Sequence, residues 1–280
     1  MSKQEQEGAF QRILVAVDAS RHSLAALQAA AELASSLEAE LHGVFVEDVN
    51  LLRIAALPMA RELRFPFTTH ARMTPRRMRR QLRAQAHQAR EAFSAICRKC
   101  QVEWTFRVVR GSVSSKLLEE AAEADLICVG RASRPVMQRT KMGSTARAAA
   151  TEIQQSVLVI SQDTRITAPI VVIDDGSNES ARALLLAARL ALETGGFLSI
   201  LVPPDTSSTP EDLQRRLDKH LDRENLLIQY RELASFHVTS IIRSVQDETC
   251  GLLIVSRATL EREEIGRLLD GVACPILLMG

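Results

Sequence analysis

Short apolar runs rich in Val, Ile and Leu alternate along this chain with longer stretches whose apolar positions recur every three to four residues. The first pattern reads as strand and the second as helix. In the first half, strands are expected at Ile13–Val17, Glu40–Val46, Val102–Val109, Asp125–Val129 and Ser156–Ile160. Helices are expected at Ser23–Leu37, Pro75–Lys99, Ser114–Glu123 and Ser144–Ile153, with Ser114 as a candidate N-cap. The runs ILVAV, LICV and VLVI lack a polar alternate face, as strands covered on both sides do. Residues 50–74 hold two Pro and read as a long irregular insertion. The second half predicts strands at Ile170–Ile173, Phe197–Val202, Phe236–Ile242, Leu252–Ser256 and Pro275–Met279. Its helices are expected at Glu179–Glu193, Pro210–Leu233, Arg243–Thr249 and Leu260–Asp270. Strands separated by helices imply a parallel sheet with helices on both faces.

The opening β-α unit occurs twice. Residues 13–20 read ILVAVDAS and residues 170–177 read IVVIDDGS, each followed by an Ala/Leu-rich helical segment. Ungapped, Asp18 meets Asp175 and Ser20 meets Ser177. The expected fold is therefore α/β: two tandem Rossmann-like domains, residues 1–163 and 164–280, each a five-stranded parallel sheet flanked by helices. The short linker at 161–169 favours domains packed as an intramolecular pseudo-dimer.

With 46 % hydrophobic and 25 % charged residues, the 280-residue chain has the composition of a soluble globular protein, not a disordered or fibrous one. No apolar run approaches the ~20 residues of a membrane span. The N-terminus lacks a signal-peptide apolar core, and five Cys make no disulfide framework. The expected location is cytoplasmic.

Net charge is +1, but residues 1–163 carry 23 Lys+Arg against 17 Asp+Glu, and the remainder carries 12 against 17. The densest basic stretch is Arg72–Arg90. It reads as a solvated helix face or as a surface for an acidic partner. It holds no aromatic residue on which a base could stack, so nucleic acid is not expected.

Candidate chemistry gathers at strand ends. After Val129 the chain runs through Gly130, Arg131, Ser133, Arg134, Arg139 and Lys141 to Gly143, Ser144 and Thr145, where a helix begins. Glycine lets a backbone approach a phosphate closely, and a helix N-terminus offers unpaired N–H groups to an anion. The alternative is an ordinary βα loop with a capping Ser; neither GxxxxGK[ST] nor GxGxxG is present. Asp18 ends the first strand, at the edge where α/β sheets bind ligands. It could accept hydrogen bonds from a ribose or an adenine amine, or simply stabilise a helix N-terminus.

Together these features resemble the universal stress protein family. Val17-Asp18-Ala19-Ser20 matches its V-D-x-S strand end, and Gly130, Ser133, Gly143 and Ser144 follow the spacing G-x2-G-x9-G-[ST] of its ATP-binding members. Ser133 departs from that pattern, standing where the family has Gly. The resemblance implies that an adenine nucleotide, ATP or else ADP or AMP, binds the first domain with or without Mg. It implies that Ala16, Val17, Asp18 and Phe45 meet the adenosine part, and that Val129 and Gly130 flank the nucleotide. A ring at Phe45 either stacks on adenine or crowds it. Ser133, Gly143, Ser144 and Thr145 would belong to the phosphate loop. The second domain keeps Asp175, Gly176 and Ser177, but Ser256 stands in place of the first loop Gly and Glu261, Glu263 and Glu264 follow. It is not expected to bind ATP.

Other constellations lead nowhere comparable. Cys97-Arg98-Lys99-Cys100 is a CxxC near a helix end with no second ligand pair, so no metal site is expected. Its flanking cations suggest at most a minor sensing role. His22 reads as an exposed first-turn residue. No general base or Mg-binding acid pair flanks the loop, and the chain reads as a non-enzyme with slow ATP hydrolysis at most. The expected role is a stress-response regulator acting through an unknown protein partner, with the basic helix 76–90 as a docking surface. A homodimer and a nucleotide-free scaffold are the open alternatives.

Overall fold

The computed structural model describes residues 10–18, 20–57, 61–64, 69–131, 143–161, 164–204, 209–220, 225–247 and 249–280. The first half runs β1 (Arg12–Ala16), α1 (Arg21–Leu37), β2 (Glu40–Asp48), α2 (Val49–Ala55), β3 (Arg61–Arg64), β4 (Thr69–Arg72), α3 (Pro75–Cys100), β5 (Trp104–Gly111), α4 (Val113–Ala121), β6 (Leu126–Gly130), α5 (Ser144–Glu152) and β7 (Ser156–Ile160). The second runs β8 (Ile170–Ile173), α6 (Asn178–Thr194), β9 (Phe197–Val202), α7 (Pro210–His220), β10 (Leu227–Glu232), α8 (Val238–Gln246), β11 (Leu252–Ser256), α9 (Arg262–Gly271) and β12 (Ile276–Met279).

The described strands, apart from the β3–β4 hairpin, form one ten-stranded sheet in the order β10-β9-β8-β11-β12-β7-β6-β1-β2-β5. Each half contributes five parallel strands in the same relative order. They meet where β7 and β12 pair antiparallel, with Leu158 opposite Leu277. The sheet is covered on both faces, which explains the uninterrupted apolar runs. One layer packs α1, α3, α6 and α7 against residues such as Ile13, Leu158, Ile254 and Leu277. The other packs α4, α5, α8 and α9 against Ile127, Val157, Val255 and Leu278. Both layers cross the joint without a break. Repeated Ala on α1 (Ala26, Ala29, Ala30, Ala31, Ala34) are buried and let that helix sit close to the sheet.

Three sequence expectations are corrected. The helix expected over Pro210–Leu233 stops at His220, and Leu227–Glu232 is a strand. Leu213 and Leu217 sit one turn apart in the core, whereas Ile228 and Tyr230 alternate with more exposed neighbours, as on a half-covered edge strand. The strand expected at Phe236–Ile242 is the helix α8, because Val238, Ile241 and Val245 are buried at helical spacing; the helix expected over Arg243–Thr249 is its end. The insertion at 50–74 is partly regular: α2 packs Leu52 and Ala55 on Met78 and Leu82 of α3, and β3 pairs with β4. Among the described residues, no helix is long and apolar enough to cross a membrane.

Candidate functional site

The carboxyl ends of β1, β2, β5 and β6 open onto a cleft of about 690 Å³. That volume lies inside the range of roughly 300–1,000 Å³ usual for small-molecule sites. Ala16, Val17, Asp18, Phe45, Val129, Gly130, Gly143, Ser144 and Thr145 all line it. Ser133, with Ala19, Arg134, Arg139 and Lys141, lies outside the described residues.

The turn after β1 is held by its own side chains. The Ser20 amide donates to Asp18 Oδ1 at 2.9 Å, the Ser23 hydroxyl accepts from the Asp18 amide at 2.8 Å, and Ser20 Oγ caps α1 by accepting from the Ser23 amide at 3.2 Å. Asp18 keeps partial exposure and faces the cleft. Gly130 closes the opposite wall. A Cβ there would lie 2.7 Å from the backbone carbon and oxygen of His22, so only glycine lets β6 end this close to α1. Phe45 is 4 % exposed, so its ring is wall and core rather than a projection into the space.

Among the described residues, the positive character of the cleft comes from backbone N–H groups. The N-termini of α1, α4 and α5 all converge on the cleft through Ser20 and Ser23, Ser112 and Ser114, and Ser144 and Thr145. Neither α4 (N-cap Ser112) nor α5 (N-cap Gly143) has a side-chain cap hydrogen bond, which leaves first-turn N–H groups for an anion. Among the described lining residues the ionisable ones are Asp18 and Asp48. Asp48 caps α2 by accepting from the Asn50 amide at 2.9 Å. One end of the cleft therefore accepts hydrogen bonds and another donates them.

Arg131 does not join this set. Its Nη2 donates to the Val272 carbonyl at 2.6 Å, tying the loop after β6 to the second half, and burial pushes its pKa down. Sequence reasoning also missed Asp48, Asn50 and Leu51, Leu82 and Gln85 of α3, and the Ser112–Ser114 turn, where the α4 cap is Ser112 rather than Ser114. The Ser112 group was findable, since it follows a strand at the ligand-binding edge. The others depended on seeing α2 as a helix.

The sequence model of the universal stress protein family matches residues 9–161. The chain belongs to that family. A universal stress protein from Archaeoglobus fulgidus DSM 4304 shares its fold over 96 % of this chain and 98 % of that one, at 13 % identity and a TM-score of 0.68. A functionally unknown protein from Pseudomonas aeruginosa PAO1 covers 99 % of this chain and 94 % of its own, at 14 % identity and a TM-score of 0.57. A universal stress protein solved in complex with cAMP matches 55 % of this chain and 98 % of its own, at 20 % identity and a TM-score of 0.38. No curated protein sequence matches.

The second half of this family member repeats the turn and changes its chemistry. The Ser177 amide donates to Asp175 Oδ1 at 2.9 Å and Ser177 Oγ caps α6 from the Ser180 amide at 3.0 Å, as in the first half. Where the first half has Val17, however, the second has Asp174, fully buried, accepting from Ser180 Oγ at 2.7 Å and lying 4.0 Å from Arg216 of α7. An acceptor-bearing carboxylate stands at the level where the first half presents an apolar wall. The Cys97–Cys100 pair lies outside the cleft lining. Both are free, and burial pushes the Cys97 thiol up to about 12.

Proposed function

We propose that the cleft of the first half binds an adenine nucleotide, ATP foremost, and that its occupancy regulates contacts with a protein partner. The observation that carries this reading is convergence. Nine positions chosen from two separate motifs and two strands line one cleft, with three helix N-termini around it. Ala16, Val17, Asp18 and Phe45 would hold the nucleoside, Asp18 accepting hydrogen bonds from its donors. Val129 and Gly130 would flank it. Gly143, Ser144 and Thr145 would hold the phosphates through backbone N–H and hydroxyl groups, with Ser133 in the same loop. Mg would arrive with the phosphates, since no lining carboxylate belongs to the α5 end. With no base among the described residues beside the phosphate end, we read the chain as a cytoplasmic binding protein rather than an enzyme.

The partner surface we assign is the basic helix 76–90. Arg76, Arg79, Arg80 and Arg83 of α3, with Thr74 and Arg77, line a shallow groove. It fits an acidic partner. The charge asymmetry of the chain leaves a homodimer compatible with this surface.

Isothermal titration with MgATP tests the cleft. One site per chain is expected, weakened at least about tenfold in both Asp18→Ala and Gly143→Val. Gly143 sits at φ −62° and ψ 150°, which accepts a side chain, so its variant folds and fills the phosphate end. No heat up to millimolar ATP would overturn the reading in favour of a nucleotide-free scaffold.

A further inference from the structure

Cys250 and Cys274 play no part in the cleft, yet they are the most closely matched reactive pair in the described chain. Their Sγ atoms lie 2.9 Å apart and both are free. The placement is topological. β11 and β12 are parallel neighbours with Leu253 opposite Ile276, so the residues entering the two strands arrive side by side. Cys250 precedes β11 and Cys274 precedes β12. The pair is also beside the first half. Because β7 and β12 run antiparallel, the carboxyl end of β6 and the amino end of β12 lie at the same edge of the sheet, with β7 between them. Arg131 crosses there and anchors on the carbonyl of Val272, two residues before Cys274, while its Nε has no hydrogen-bond partner among the described residues.

We propose that Cys250 and Cys274 are a redox-active dithiol, closed to a disulfide by a hydroperoxide, with Arg131 as the positioning residue that holds charge beside Cys274. The thiolate is the nucleophile, and a neighbouring guanidinium favours it. The neutral Cys274 thiol donates to Cys250 Sγ. Contact with Cys250 and the charge of Arg131 favour the Cys274 thiolate, so Cys274 ionises below its usual range while Cys250 is pushed above its own. In the first step the Cys274 thiolate attacks the peroxide. An S–O bond forms, the O–O bond breaks, sulfur gives up two electrons, and the leaving hydroxide or alkoxide takes a proton from water. In the second step Cys250 sulfur attacks the sulfenic acid. The S–S bond forms, the S–O bond breaks, and hydroxide leaves with the Cys250 proton as water. Disulfide sulfurs lie about 2.05 Å apart, so closure asks for less than about 1 Å of approach. Cys274 is 9 % exposed and Cys250 more so, which admits a small peroxide.

The same chain supplies its own comparison. Burial pushes the thiols of Cys97, Cys100 and Cys128 upward; Lys99 offsets it only in part at Cys100, so all three shift up where Cys274 shifts down. The test treats the full chain with graded hydrogen peroxide, alkylates the remaining thiols, and maps peptides by mass spectrometry. The expected product is a Cys250–Cys274 cross-link, reversed by a dithiol reductant, while Cys97, Cys100 and Cys128 stay open to alkylation after denaturation. In Cys250→Ser the reaction should stop at a sulfenic acid on Cys274, trapped by a cyclic 1,3-diketone. Arg131→Gln should slow oxidation about threefold for each pKa unit it restores, and Arg131→Lys should recover most of the rate. The proposal is overturned if Cys250 and Cys274 stay reduced at peroxide that oxidises Cys97 or Cys100. It also fails if Arg131→Gln, shown folded by circular dichroism, oxidises at the wild-type rate.

Discussion

Gly130 and Asp175 each concentrate one physical effect. Gly130 ends β6 against the backbone of His22, and backbone cannot rotate aside as a side-chain tip can. Gly130→Ala should therefore push the first turn of α1 outward, at a cost of about 1–3 kcal/mol in a urea titration. The same variant should weaken ATP binding, since Asp18 is tethered to that turn through Ser20 and Ser23. At Asp175, burial raises the pKa but the hydrogen bonds from Ser177 and Ser180 outweigh it, so the net shift is downward. A carboxylate with a depressed folded pKa stabilises the protein above the unfolded value of about 3.9 and loses that contribution as pH falls through the folded value. The stability gap between the wild type and Asp175→Asn should thus be present at pH 6 and shrink as pH falls below the unfolded value of about 3.9. Solvent screening keeps it under about 1 kcal/mol. Equal stability gaps at pH 6 and pH 3 would refute this account.

Elements differ in how plainly the sequence declares them. The strands buried on both faces and the long helices α1, α3 and α6 announce themselves by period, and the repeated Asp-x-Ser turn gives the tandem arrangement. The elements that escape are half-covered. β10 sits at the sheet edge with Leu227 69 % exposed, so its apolar count is too low to separate it from the preceding helix. α2 is seven residues long and buries only Leu52 and Ala55, and its partner face on α3 lies more than twenty positions away. The cleft was legible where chemistry is local, in Val17-Asp18-Ala19-Ser20 and Gly143-Ser144, and illegible where it depends on that long-range packing. Arg131 shows the same limit. Its charge suggested phosphate, while the antiparallel joint sends it to Val272. The joint itself rests on Leu158 and Leu277, both buried and paired in register. Leu158→Ala and Leu277→Ala should each cost about 2–5 kcal/mol, and the double variant less than their sum, because both open one cavity.

For the whole molecule, one sheet and two continuous core layers leave no seam along which the halves could separate. Further ties reinforce the boundary: Arg189 donates to the Ser36 carbonyl at 2.9 Å, and Arg147 meets Asp270 at 2.9 Å. Thermal unfolding should accordingly be a single transition whose midpoint does not move over a hundredfold range of protein concentration. A midpoint that climbs with concentration would instead show that assembly between chains carries part of the stability.

The antiparallel meeting of β7 and β12 has a genetic consequence. When two identical copies assemble about a symmetry axis, every substitution is suffered twice, and a change that spoils one pocket spoils both. Here the two sides of the joint are encoded separately. Asp174 can replace the counterpart of Val17 in one half while the other keeps its apolar wall, and β12 still presents the edge that β7 requires. Drift in the second half is thereby freed from the demands of the first, provided that its last strand survives.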